Sequence, residues 1–231
     1  MTYFLHTILT GYPVRIFPIF GLNSSKFAMM PSAKLPGLKN PHLTGVVLAG
    51  GKSKRMGHDK ALLEFRGRPL VMHAVNLLQQ FCSQVVISSN RKDYFFTGCE
   101  IWPDDVNVHA AMAGIYSCLK RSMHPWIMVL SCDMPLIDPR VFDLLISLAE
   151  LHHDDVVVPV HDKDCIEPLC GMYNQRAIPL LEENIRTHHF SLQHFIRNSK
   201  CRLVEVGPHL DFYKADMFSN INTIRDFNSL E

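Results

Sequence analysis

The chain has 231 residues, enough for one large or two small domains, and its 23 basic and 22 acidic residues leave a formal net charge of +1. That balance gives no footprint for wholesale binding to nucleic acid or a membrane surface, and a small-molecule ligand is favoured. Seven cysteines are scattered singly with no C-x-x-C pair, which indicates neither a disulfide framework nor a zinc site and fits a reducing cytosol.

In chain order, residues 1–44 read as a leader ahead of a single domain at 45–231. No Asp or Glu occurs before Asp59, and the apolar opening is broken by Pro13 and Pro18. A signal peptide needs an unbroken apolar run of roughly 7 to 15 residues and a membrane span about 20, and neither is present. The leader is therefore expected to be disordered or a start-site artefact, with residues 1 to 28 burying little.

The first strand is expected at "GVVLA", residues 45 to 49, and it runs into Gly50 and Gly51. The "GKS" that follows suggests an ATPase phosphate loop, but the glycine such a loop needs upstream is replaced by Val46. What remains is a strand, two glycines and the cations Lys52, Lys54, Arg55 and Lys60, with no acid among them until Asp59. Glycines there let backbone N–H groups approach an anion or a base edge, although a Gly-Gly pair also fits a tight turn.

Strands and helices then alternate, which is the α/β signature. "PLVMHAVNLLQQF" puts Leu70, Ala74, Leu78 and Phe81 on one helical stripe, and "QVVIS" follows as a strand. "AAMAGIYSCLK" reads as a helix and "PWIMVLSCD" as a buried strand ending at Asp133. Asp138 before Pro139 supplies an N-cap and an N1 proline for the next helix. "DVVVPV", "EPLCGMY" and "CRLVEV" read as strands, and "QRAIPLLEENIRT" and "SLQHFIRN" as helices. Thr223 and Asp226 form a capping-box pattern for a last short helix. In sheets of this kind ligands sit beyond the carboxyl ends of the strands, so Gly50, Gly51, Ser88 and Asp133 are expected to share one site. A carboxylate at Asp133 suits Mg2+ held against phosphate oxygens, or a bond that closes the following turn. Cys132 reads as a small core residue.

The stretch "VVLAGGKSKRMGHDKALLEFRGRPL" resembles the opening signature of the molybdenum cofactor guanylyltransferase family. The likeness continues in order through "VVISSNR", "AAMAGI", "SCDMPLI", "EPLCGMY" and "FSNINT". It implies a Rossmann-like three-layer sandwich with a mostly parallel sheet, of the nucleotidyltransferase type. The implied reaction is transfer of GMP from GTP to molybdopterin already carrying molybdenum, with Mg2+ as cofactor and pyrophosphate released. The resemblance also implies roles. Leu48, Ala49, Gly50 and Gly51 would line the GTP, Gly50 pointing to guanine where cytidylyltransferases usually have Ala. Lys60 would meet the phosphates, Asp104 would lie on the nucleotide and Asp133 would hold nucleotide and metal. Arg55 would steady the leaving pyrophosphate, and Asn220 and Asn222 would sit near metal or acceptor.

Three positions depart from the family pattern. Ser88 replaces a common Asn, with Asn90 two residues on. Ala110 and Ala111 replace Gly-Pro, and Glu167-Pro168-Leu169 stands where His-Pro-Thr is frequent. The phosphate end thus keeps its pattern while the base and acceptor contacts change. Partners implied are GTP, the molybdopterin acceptor and upstream cofactor-synthesis or acceptor proteins, with no nucleic acid and no membrane. The competing readings are a transferase of the same fold using CTP or another phosphorylated acceptor, and a non-catalytic paralogue that binds nucleotide or cofactor.

Overall fold

The computed structural model describes residues 39–50, 59–151, 153–162, 164–221 and 226–227, and the backbone of two leader strands, Phe4–Leu5 (β1) and Val14–Pro18 (β2). The expected apolar runs become strands: Asn40–Leu48 (β3), Cys82–Ser88 (β6), Trp126–Ser131 (β8), Val156–His161 (β9), Cys170–Asn174 (β11) and Cys201–Glu205 (β12). Four short strands complete the set: Glu64–Phe65 (β4), Arg68–Pro69 (β5), Glu100–Trp102 (β7) and Cys165–Ile166 (β10). The helices are Leu70–Leu78 (α1), Ala111–Arg121 (α2), Pro139–Leu151 (α3), Ile178–Arg186 (α4) and Leu192–Asn198 (α5).

The main sheet has the order β1-β2-β12-β9-β11-β8-β3-β6-β7, with β10 on β9. β7, β6, β3 and β8 run parallel, and so do β12 and β9, while β11 runs against both of its neighbours. The sheet is thus mixed and mostly parallel, as its alternating helices require. In the leader, β2 pairs antiparallel with β12, and β1 pairs antiparallel with β2 at the edge of the sheet. β4 and β5 form a separate hairpin that the sequence reading did not anticipate; its turn needs φ of +48° at Arg66 and +73° at Gly67, a two-residue connection that suits Gly at the second position.

Strand alternation sends successive side chains to opposite faces. Val47, Ile87, Met128 and Leu130 pack on one face with α1 and α3, and Val46, Val86, Ile127 and Val129 on the other with α2, α4 and α5. This is a three-layer α/β sandwich. On α1, Leu70, Ala74 and Leu78 are buried as the helical stripe predicts, and Phe81 packs at the edge of the same core. Burial of a Leu or Val side chain is worth about 1.5–3 kcal/mol, so this face holds α1 although its N-cap, Pro69, makes no side-chain capping bond. Asp138 does cap α3, its Oδ1 accepting from Arg140 N at 3.0 Å. Among the described residues no helix is long and apolar enough to cross a membrane. All seven cysteines are free thiols. Of the capping-box pair, Thr223 lies outside the described residues.

Candidate functional site

Leu48, the last residue of β3, is in register with Ser88 of β6 on one side and Ser131 of β8 on the other, so three strands end side by side. Just beyond, Ala49 N donates to Ser88 O at 3.2 Å and Cys132 N donates to Leu48 O at 3.1 Å. Leu48, Ala49 and Ser88 are buried. Gly50 is exposed, and a Cβ placed on it would come no nearer to its surroundings than 3.9 Å, at Ser88 O, so the space above it is open. Gly51, Arg55 and Asn222 lie outside the described residues.

The expected phosphate and metal residues meet here. Lys60 begins a short 3-10 turn, Lys60–Leu62, capped by Asp59, whose Oδ1 accepts from Ala61 N at 3.1 Å. From that turn Lys60 Nζ reaches Asp133 Oδ2 at 2.6 Å. The other oxygen, Asp133 Oδ1, is buried and has no hydrogen-bond partner among the described residues. Leaving a carboxylate oxygen dry and unpaired is costly, so the site is short of a donor or a cation at this atom. Asp133 O accepts from Ile221 N at 2.9 Å, which sets Asn220 beside the same residue. Among the described residues there is no group of three or more His, Cys, Asp or Glu side chains that could hold a metal ion. One carboxylate with an unpartnered oxygen fits a hard cation whose shell is completed by phosphate oxygens.

On the β6 side, Asn90 and Asp104 clasp each other. Asn90 Nδ2 donates to Asp104 Oδ2 and Asp104 N donates to Asn90 Oδ1, both at 2.9 Å. Burial raises the carboxyl pKa of Asp104 above its ordinary value. Helix α2 closes on this corner at Gly114, where a Cβ would meet Ser88 Oγ at 2.6 Å and Leu48 Cδ2 at 3.2 Å. Asp105, in contrast, turns to Arg121 and is part of the surface.

On the opposite side, β9 ends at His161 and the turn before β11 carries Glu167. Glu167–Leu169 was expected to be strand. It forms a turn because Tyr173 OH donates to Pro168 O at 2.6 Å and Cys170 N to Glu167 O at 3.2 Å. Leu169 O accepts from Ser131 N at 2.8 Å, which brings this turn to the end of β8. His161 Nε2 lies 2.9 Å from Glu167 Oε1, its Nδ1 lies 3.0 Å from Asp162 Oδ2, and its ring stacks on Phe218 at 4.5 Å. Burial raises the Glu167 carboxyl pKa, and the charge on Asp133 adds to the effect. Burial pushes the Cys132 thiol well up, which disfavours the thiolate.

The sequence reading thus located Leu48, Ala49, Gly50, Lys60, Ser88, Asn90, Asp104, Asp133 and Asn220 around one end of the sheet. It missed Asp59, Tyr94 and His161. Asp59 had a signal, since it directly precedes Lys60. Tyr94 had none, as an aromatic in an apolar stretch reads as core.

Comparison with known proteins matches residues 45–203 to the family described as MobA-like NTP transferase domain. A molybdenum cofactor guanylyltransferase of Pseudomonas entomophila (strain L48) is 34% identical over 152 residues, covering 64% of this chain and 78% of that protein. A second, from Pseudomonas putida, is 31% identical over 199 residues, 84% of this chain and 97% of its own length. Among solved structures, molybdopterin-guanine dinucleotide biosynthesis protein A from Archaeoglobus fulgidus superposes with a TM-score of 0.68 at 24% identity, over 81% of this chain and 96% of that one. It shares the fold.

Proposed function

The chain belongs to the MobA-like NTP transferase domain family, a family of nucleotidyltransferases, and from that premise we propose that it transfers GMP from GTP to the terminal phosphate of a molybdopterin-type cofactor. The observation that carries this reading is the Lys60–Asp133 pair at the convergence of β3 and β8, with Asp133 Oδ1 buried and unpartnered. A phosphate oxygen of the acceptor forms a new bond to the α-phosphorus of GTP, and the bond from that phosphorus to the α,β-bridging oxygen breaks as pyrophosphate leaves. The attacking phosphate is already anionic, so no strong general base is needed, and the work is positioning and charge neutralisation.

Leu48, Ala49 and Gly50 offer backbone to the nucleotide, with Gly50 leaving room where a side chain would stand. The Asn90–Asp104 clasp borders the same corner. Lys60 is held where its ammonium can move from Asp133 toward negative charge on the phosphates. Asp133 and Asn220 would hold Mg2+, which when bound supplies charge neutralisation to the phosphate oxygens. Arg55 belongs to this reading as a cation for the departing pyrophosphate, and Gly51 and Asn222 complete it by sequence. Glu167 and His161 flank the acceptor side. The test is pyrophosphate release with purified molybdopterin and each of the four nucleoside triphosphates. Release with GTP well above the other three is expected, and equal release with CTP would sink the guanine assignment.

A further inference from the structure

Tyr94 is fully buried, yet its hydroxyl reaches out of the core to two backbone-distant points. It lies 2.7 Å from Asp59 Oδ2 and 3.1 Å from Ala49 O. One hydroxyl proton is available to two acceptors, and the shorter contact goes to the ionised one, as charge-assisted bonds do. Ala49 and Asp59 bracket residues 50–58, which by sequence carry Lys52, Lys54 and Arg55. Asp59 is only 8% exposed in its side chain, and its second oxygen caps the turn that aims Lys60 at Asp133. Burial, and then the hydrogen bond to Asp59, push the phenol pKa well up, so the group stays a donor. Arg91 Nε stands 3.6 Å from Asp59 Oδ2 on the solvent side.

We infer that Tyr94 is a positioning residue for nucleotide phosphates: from a ring fixed in the core beside Ala49, its hydroxyl donates to Asp59 and so fixes where the Lys60 turn begins relative to the end of β3. A Lys60 turn already held in place need not be ordered at the expense of ligand affinity. The inference rests on the nucleotide reading above but not on the identity of the base.

The experiment compares Tyr94→Phe with Tyr173→Phe, another fully buried tyrosine whose hydroxyl bonds a backbone carbonyl, Pro168 O. Both should lose several degrees of Tm, as a buried hydrogen bond predicts. Equilibrium affinity for GTP, CTP and inorganic pyrophosphate is then measured well below either Tm. Tyr94→Phe should weaken pyrophosphate and the preferred nucleotide about tenfold, and Tyr173→Phe should leave both at wild-type values. Asp59→Asn supplies a second variant should the first fold poorly, and its loss combined with that of Tyr94→Phe should fall well short of the sum, because the two residues act as one unit. Unchanged affinity in Tyr94→Phe, equal weakening in both tyrosine variants, or additive losses would each overturn the proposal, as would a wild type that binds none of the three probes. A wild type that prefers CTP overturns the guanine assignment alone, and the tyrosine comparison is then read on CTP and pyrophosphate.

Discussion

The two oxygens of Asp133 have separate duties, one neutralised by Lys60 and the other buried without a partner. Asp133→Asn keeps the shape but replaces an anion by an amide, which can neither pair fully with Lys60 nor offer a charged oxygen to a cation. Turnover is expected to fall by roughly 100-fold or more with the fold retained, measured as kcat of pyrophosphate release at saturating Mg2+. Wild-type turnover would mean that the aspartate only closes its turn. Lys60→Met is expected to lower kcat by about 100-fold while GTP affinity weakens modestly, since charge on the leaving pyrophosphate grows toward the transition state. A protein that only binds its ligand would show the affinity change alone. Both residues were legible in the sequence because each has a position that chemistry can use: a strand end, and a cation after two glycines. His161 was not, because Glu167 is brought to it by the short hairpin in which β10 folds back on β9, and a two-residue strand offers no pattern to read.

At the level of elements, α2 can approach the strand ends because position 114 lacks a Cβ. Gly114→Ala is expected to destabilise by roughly 1–3 kcal/mol, as overpacking does, with a lower Tm by thermal melt. Ser88→Ala in the same chain should recover part of the loss, since the nearest obstacle, at 2.6 Å, is the Ser88 hydroxyl. No recovery would place the strain at Leu48 instead. Strand and helix identities were legible wherever periodicity was strong, as on α1. The β4–β5 hairpin and the Glu167–Leu169 turn were not. Two-residue strands offer no period to read, and the turn depends on the Tyr173 hydroxyl folding back from β11, a bond that alternation of apolar residues does not encode. The leader raises a separate point. Deleting residues 1–28 removes β2 and uncovers β12 as an edge. Nucleotide affinity should be unchanged, because β12 is separated from β3 by β9, β11 and β8. Self-association at high concentration, read by light scattering, is the expected cost of an open edge, and weakened GTP binding would show that the leader reaches the site.

Over the whole molecule, burial makes some carboxyls reluctant to ionise. Asp104 and Glu167 both lie above their ordinary values chiefly through burial. A group whose folded value is raised gives stability that is complete below the unfolded value and is lost as pH rises through the folded one. Glu167→Gln, which stays neutral throughout, should therefore shed part of this slope. The Tm of the wild type relative to the variant should fall as pH rises above the ordinary glutamate value of about 4.3, and a constant difference would mean that Glu167 titrates as it does in the unfolded chain. The layered α/β class was legible from alternating elements, whereas the reversed direction of β11 was not, because a strand reads the same in either direction. That reversal has a consequence for descent. The parallel strands present their exits at the site, and β7 and β8 lead from there directly into α2 and α3, which the core must accommodate. β11 presents its entrance there instead, so the turn at Glu167–Leu169 joins β10 to β11 with no helix attached. Leu169 packs against both cores and pins the turn, whereas Glu167 belongs to neither, so a lineage is free to vary this border of the site at Glu167 while the strand ends of β3, β6 and β8 keep their register.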